Sequence, residues 1–364
     1  MKEIFKKIFN INFLIIFIGS MPSLYYYPKK IPIGYVVFFL LVTFKFYIKK
    51  LKIRKRDLYF FLGISIFLIL NKILNIKTVN IRNMLPLFLG ALSLIYFTNN
   101  VIKNKDEIKG KIDILIIIHI SFQFVQFIFW SILNIRLDYL NWFSGAPQRL
   151  TSGSLFRAAG LFHEPGTYAA FLLGLIIIRE IYKERIDKIF ILSMISIGLT
   201  FSAKGILMLS MFLIIKYLLF HKKIIVKIIT MLSMFFSSGF IWYYINRKFE
   251  AYGGMNFYLS EYLILFKLSL YEKFKGYGVG YQYISEKTGF GFEGGILFTL
   301  FLYFGFLSIV FLFLLSYKSK LYKFNFKFIL YILVLSFSKI SLNHAFFWMF
   351  FSLLGIKDHK RRKL

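Results

Sequence analysis

Apolar runs long enough to bury in lipid recur along the whole chain, and between them the charges come in short basic clusters. A bilayer-crossing helix needs about 20 mostly apolar residues, or fewer where a hairpin re-enters from one side. On that rule the sequence predicts roughly twelve crossings. They fall at 8–24, 31–48, 58–75, 79–98, 112–133, 161–182, 189–201, 206–220, 224–245, 293–315, 328–340 and 345–356. The seventh, eighth, eleventh and twelfth are short, so each of those two pairs has the alternative reading of a re-entrant hairpin. The expected fold is all-α, a polytopic integral membrane protein with one membrane domain over residues 1–364. Composition agrees: 58% of the residues are hydrophobic, 21% aromatic and only 17% charged, which leaves no stretch for a separate soluble domain.

Lys2, Lys6 and Lys7 precede the first run as in a signal peptide. Gly19, Ser20, Met21 and Pro22 make a poor cleavage site and further runs follow, so this segment is read as a retained span. With the N-terminus in the cytoplasm, segments 49–56, 103–111, 179–188, 216–227, 318–327 and 357–363 lie inside. Together with Lys45 and the three N-terminal lysines they hold 31 of the 47 basic residues, the bias of the positive-inside rule. Both termini are then cytoplasmic. The net charge of +31 would suggest nucleic acid in a soluble chain. Here the basic clusters sit beside apolar runs and suit anionic headgroups, so membrane lipid is the expected partner and nucleic acid is not. The absence of cysteine excludes disulfides, iron–sulfur clusters and thiolate zinc, and five histidines leave little for other metals. No metal and no cofactor is expected.

Two outer loops are too long to be mere connections: 134–160 and 246–292. The second contains apolar and polar residues at helical spacing over about 256–273, which reads as an amphipathic helix lying on the outer membrane surface. A thirteenth span there would instead place the basic C-terminal segment outside.

The most polar stretch near membrane depth carries Arg149, Arg157, Gly160, His163, Glu164 and Pro165. Helix capping explains part of it: Pro165 suits a first helical position, Glu164 suits the positive end of the dipole, and Gly160 permits a turn. Capping does not explain two arginines and a histidine in the same place. Ionisable groups at a membrane mouth are expensive unless paired or used, which makes this the leading candidate site. Lys204, within the polar stretch 199–205, lies on a tight outer hairpin, where it either snorkels to headgroups or meets an anionic ligand. Arg247 and Lys248 follow the ninth span. Gly276, Gly278 and Gly280 allow close backbone approach to a ligand, without the spacing of a dinucleotide fingerprint. His344, beside Asn343 at the last outer turn, either contacts substrate or finishes a helix end. His119, in mid-span, is expected to be a buried residue hydrogen-bonding between helices. His221 and His359 lie among lysines and read as solvated. With no Asp-x-Asp pair, Walker loop or His-Glu-x-x-His, sugar-nucleotide, ATP and zinc chemistry have no support.

Arg157-Ala-Ala-Gly160-Leu-Phe-His163-Glu164-Pro165, followed by Thr200-Phe-Ser202-Ala-Lys204-Gly205 and then Gly276-Tyr-Gly278, resembles the O-antigen polymerase and ligase superfamily of polytopic membrane glycosyltransferases. Arg149 and Gly160 also look like an arginine–glycine spacing of the polymerase branch. The resemblance runs in order from about residue 149 to 305. Lys204 stands where arginine is usual, and Glu293, Gly294 and Gly295 stand where the ligase branch tends to carry a histidine, which places polymerase ahead of ligase. The resemblance implies a multi-pass protein of the bacterial cytoplasmic membrane with its active site facing outward. It implies that undecaprenyl-diphosphate-linked repeat units are joined into O-antigen, capsular or exopolysaccharide chains, with a flippase and a chain-length regulator as protein partners. Arg149, Lys204 and Arg247, with Arg157, would bind the diphosphate. Glu164 would act as general base toward the acceptor hydroxyl or would orient Arg157. The rival classes are a ligase, a flippase or transporter of lipid-linked oligosaccharide, and an acyltransferase using His344 or His163.

Overall fold

The computed structural model describes residues 13, 17–18, 25–26, 31–32, 40, 43–44, 47–48, 54–76, 78–101, 105–144, 147–152, 155–182, 186–221, 223–228, 230–232, 239, 268–279, 295–319, 326–338, 340, 342 and 344–354. Most of them are helical. Strands are limited to two short antiparallel pairs, β1 (Tyr25–Tyr26) with β2 (Ile31–Pro32) and β3 (Thr151–Ser152) with β4 (Leu155–Phe156). The helices are α1 (Lys55–Leu74), α2 (Ile81–Val101), α3 (Lys105–Leu133), α4 (Tyr139–Ser144), α5 (Pro165–Tyr182), α6 (Lys188–Gly198), α7 (Ala203–Leu213) continuing as a π-helical turn (Ile214–Leu219), α8 (Leu270–Lys275), α9 (Ile296–Phe304), α10 (Ser308–Ser319), α11 (Phe326–Ser336) and α12 (Ala345–Leu354).

The distribution of apolar residues is compatible with a membrane protein. On α3 the inward stripe is Ile112, Leu115, Ile116, His119, Ile120, Gln123 and Gln126, so the polar residues of the span face the protein. The outward face carries Ile117, Val125, Ile128 and Ile132. On α1, Phe60, Ile64, Phe67 and Asn71 are buried while Leu62, Ile66, Ile69 and Ile73 are exposed. In water such faces would aggregate; in hydrocarbon they cost nothing, and polar groups turn inward to find partners. Three helical stretches are long and apolar enough to cross a membrane: Lys55–Leu74, Gly110–Leu133 and Ile296–Ser319. Asn83–Tyr96, Lys188–Gly198 and Phe326–Ser336 are apolar but shorter.

Helix α5 is the axis of the fold. Every described side chain from Pro165 to Ile181 is buried, and the helix packs on α3, α6, α7, α11 and α12. A helix buried all round belongs in a core. At its Arg179 end the bundle is tied by ion pairs. Arg179 meets Asp113 of α3 and Asp187, the N-cap of α6, each at 2.5 Å. Glu180 meets Lys216 of the π-helical turn at 2.5 Å. Lys318 of α10 pairs with Asp57 of α1, both almost wholly buried.

Three expectations change. The sixth span begins at Pro165, not at 161, because the chain turns at Gly160 (φ +54°) and through Glu164 before the helix starts. The tenth span is interrupted at Gly305 (φ +57°), where a 3-10 turn over Gly305–Leu307 separates α9 from α10. The amphipathic helix placed over 256–273 is not continuous: Ser269 is extended and caps a new helix, α8, with Glu272 completing a capping box. The remainder of that stretch lies outside the described residues, as do most of the first, second and ninth spans.

Candidate functional site

The first two turns of α5 collect most of the candidate side chains. Pro165 is the first helical residue, as its fixed φ and missing N–H favour. Glu164 precedes it, its carbonyl accepting the Tyr168 N–H at 3.2 Å and its Oε1 accepting the Thr167 hydroxyl at 3.3 Å. Glu164 therefore stands at the residue before the helix, with a side chain that stays half-buried rather than enclosed. His163 is also half-buried, and its carbonyl accepts the Arg149 N–H at 2.8 Å.

Arg149 and Arg157 flank the β3–β4 pairing and are held close by the Arg157 N–H, which donates to the Leu150 carbonyl at 2.7 Å. Arg149 is exposed. Arg157 is only 9% exposed; its Nη2 donates to the Thr151 carbonyl at 3.3 Å, and its Nε has no hydrogen-bond partner among the described residues. A buried guanidinium N–H without an acceptor is costly, which makes this arginine unusual among the described residues of the loop.

Two other helix starts reach the same place. The turn before α7 is built by Thr200 and Ser202, whose hydroxyl oxygens accept the Ser202 and Gly205 N–H groups, with Phe201 forced to φ +44°. Gly205 lies so near α5 that a Cβ there would stand 2.6 Å from Ala169 Cβ, so the start of α7, which carries Lys204, packs on α5. Lys204 is half-buried. His344 caps α12 through its carbonyl, which accepts the Phe347 N–H at 3.0 Å, and its ring lies 5.9 Å from that of Phe171 on α5. Although the residue is half-buried overall, burial of its ring lowers the imidazole from 6.5 to about 4, so it is neutral at pH 7. The start of α7 thus packs on α5 at Ala169 and the start of α12 at Phe171, so all three helices begin at the same end of the bundle.

Gly276 and Gly278 do not join this group. Gly276 (φ +68°) and Gly278 (φ +84°) approach the chain itself: Tyr277 and Gly278 N–H groups donate to the Leu302 and Tyr303 carbonyls, and a Cβ on Gly278 would strike Val79. Their conformational freedom serves packing of the loop against the break after α9, not approach to a ligand. Arg247 lies outside the described residues. His119 is buried as expected, 5.2 Å from the Phe162 ring, with its carbonyl accepting the Tyr168 hydroxyl at 3.4 Å. No group of histidines and carboxylates suited to a metal occurs among the described residues.

The residues that sequence reasoning misses are amides. Gln126 of α3 and Gln148 of the loop are buried and densely hydrogen-bonded. Gln126 Oε1 accepts the Ala159 and Gly160 N–H groups at 2.7 and 3.0 Å, and its Nε2 donates to Leu137 O and to Gln148 Oε1. Gln148 Oε1 also accepts the Tyr139 N–H, and its Nε2 donates to Gly160 O at 2.7 Å and Phe162 O at 2.6 Å. Each amide thus fills both acceptor and both donor positions. Gln123, one helical turn before Gln126, exchanges hydrogen bonds with Ser196 of α6, whose hydroxyl meets that of Tyr168 at 2.6 Å. The available signal is the pair Gln123 and Gln126, spaced three apart inside an apolar span, where an amide needs a partner.

No protein-family model matches this chain, and neither does any curated protein.

Proposed function

We propose that the chain is a membrane glycosyltransferase that polymerises undecaprenyl-diphosphate-linked oligosaccharide repeat units on the outer face of the bacterial cytoplasmic membrane. In this reading it has about twelve crossings with both termini cytoplasmic, and the Glu164 end of α5 faces outward. The observation that supports the reading is the buried Arg157, whose Nε has no acceptor among the described residues, in the same loop as Arg149, whose N–H is tied to the His163 carbonyl next to Glu164 at the start of α5. A diphosphate leaving group develops negative charge as its bond to the anomeric carbon breaks, and cations and oriented N–H groups in a dry mouth stabilise it. The acceptor hydroxyl oxygen forms the new bond, Glu164 takes its proton, and undecaprenyl diphosphate departs with the electron pair. The donor is already activated, so the step needs no cofactor. The small apolar cavity of about 90 Å³ lined by Ile296, Leu312, Ile332, Leu335, Phe347 and Phe351 offers an apolar surface to part of an isoprenoid chain.

A flippase of lipid-linked oligosaccharide is the second reading, favoured by the interruption of a membrane-length helix at Gly305, a feature of transporters. Deleting the gene and resolving the surface polysaccharide by size separates the two. A ladder collapsing to a single repeat unit supports the polymerase. Loss of every unit, with single lipid-linked repeats left on the cytoplasmic face, supports the flippase and removes the catalytic roles of Arg157 and Glu164. In a complemented strain, Arg157→Ala and Glu164→Gln should each leave only single units at matched protein levels; full ladders would take those residues out of the mechanism.

A further inference from the structure

We propose that Gln126 and Gln148 are the positioning residues of this site, a two-amide clamp that fixes the backbone that follows Arg157 and ties it to residues 137–139. The inference rests on the polymerase reading for its activity arm only. The segment from Leu137 to Phe162 has little regular structure, and its backbone polar groups must be satisfied individually wherever it is buried. The two glutamines do this between them, contacting Leu137, Tyr139, Ala159, Gly160 and Phe162. Asp138 Oδ2 accepts the Gln148 N–H at 2.9 Å and Arg136 Nη2 donates to its carbonyl at 2.8 Å, so Gln148 is itself held on both sides. Arg157 lies two residues before Ala159, and its own N–H is tied to Leu150, two residues after Gln148. The amides therefore anchor the strand leaving the arginine, and the Arg157 N–H ties the arginine itself back to Leu150. Their bonds converge on Gly160, whose positive φ turns the chain toward Glu164.

A saturated pair is vulnerable to loss of a single proton. Gln126→Glu keeps the shape and, while the new carboxyl is protonated, keeps the acceptor for Ala159 and Gly160 and one donor. Once ionised it has no donor and carries a charge that its enclosed surroundings oppose. Elongation by the Gln126→Glu chain should therefore hold at low pH and fall at least tenfold as pH rises, where the parent does not. Gln126→Leu and Gln148→Leu should be inactive at every pH.

The chain contains no cysteine, which allows a second readout independent of catalysis. Leu150 is fully buried beside Phe156 and Ala158, so Leu150→Cys supplies one protected thiol next to the clamp. The test uses the full chain in liposomes carrying lipid-linked repeat units, with maleimide labelling normalised to denatured protein at each pH. The proposal expects labelling of Leu150→Cys to rise in the Gln126→Glu background over the same pH range in which elongation falls, in protein that remains monodisperse. A thiol that stays protected, or elongation that continues unchanged in Gln126→Glu and Gln148→Glu, overturns it. If the parent elongates nothing, the polymerase reading fails, and the labelling alone decides the clamp: exposure upholds it and protection ends it.

Discussion

Breaking the Glu180–Lys216 pair asks whether charge holds the end of α5 that lies away from the site. The two side chains meet at 2.5 Å and are 2% and 7% exposed, and the ammonium also stands 4.4 Å from the centre of the Phe190 ring. Unit charges at the ion-pair distance attract by about 7 kcal/mol at an effective dielectric of 20. Dehydrating the two ions offsets most of this, so the intact pair is worth little against an apolar substitute, whereas a lone survivor is strongly destabilising. Glu180→Leu and Lys216→Met should each destabilise the chain by about 3–5 kcal/mol. At the usual unfolding entropy per residue, 364 residues carry about 0.8 kcal/mol/K, so each single variant should lose about 4–7 °C in Tm. The double variant buries no unpaired ion and should return to within about 2 °C of the parent. Thermal scans of the protein in nanodiscs, followed by tryptophan fluorescence, read all four corners of the cycle. Independent sites add to within about 0.5 kcal/mol; a double variant as unstable as the sum of the singles would refute the pairing.

Acid should weaken the fold through His344. Its folded pKa of about 4 lies below the ordinary 6.5, so the unfolded chain binds the proton first. Stability is complete above pH 6.5 and falls by about 3 kcal/mol as pH drops to about 4. His344→Gln should flatten that part of the stability–pH curve, and an unchanged slope would show that another group is responsible. Gly160→Ala forces a side chain into φ +54° and should cost about 1–2 kcal/mol, read as a lower Tm. Gly205→Ala should push α7 from α5 and lose about 1–3 kcal/mol, and adding Ala169→Gly should recover part of it; no recovery would mean that the close approach is not what the glycine serves. Glu164→Gln retains an oxygen for the Thr167 hydroxyl, so its stability should stay within about 1 kcal/mol of the parent while elongation is lost. A large fall in Tm would trace the lost activity to the cap instead of to the proton.

The helices over 58–75 and 112–133 are legible in the sequence because a membrane-length apolar run has few other uses. Hydropathy places the start of α5 four residues early because Leu161 and Phe162 count as apolar although they sit in the turn before Pro165; it does not register φ, and Pro165 is the better marker. The same blindness hides the break at Gly305, which lies inside an unbroken apolar stretch. The place of Glu164 just before the helix is readable, since Pro165 fixes the register of the helix start. The clamp is not, because Gln148 stands 22 residues from Gln126 and only the folded loop brings their amides together. Gly276 and Gly278 mislead for a related reason: a glycine reports that something comes close, and sequence does not say whether that is a ligand or the chain's own backbone.

The two ends of α5 differ in what their buried arginines bond to, carboxylates at one and a carbonyl at the other, and that difference bears more on function than their positions do. At one end Arg179 has two carboxylates and Lys216 has Glu180, an arrangement that ties α5 to α3, α6 and the π-helical turn. At the other, Arg157 is nearly as buried, yet its guanidinium donates to a neutral group, the Thr151 carbonyl; an N–H without an acceptor among the described residues is common to both arginines, at Arg157 Nε and Arg179 Nη1. In a low-dielectric setting an ion matched by opposite charge is a fastener, since removing either partner strands the other. An ion held by neutral groups keeps its field for whatever enters. The clamp of Gln126 and Gln148 makes this arrangement sustainable: neutral amides satisfy the backbone around Arg157 without neutralising it, where an ionised glutamate at either position would lose the donors that hold the loop and quench the site's charge.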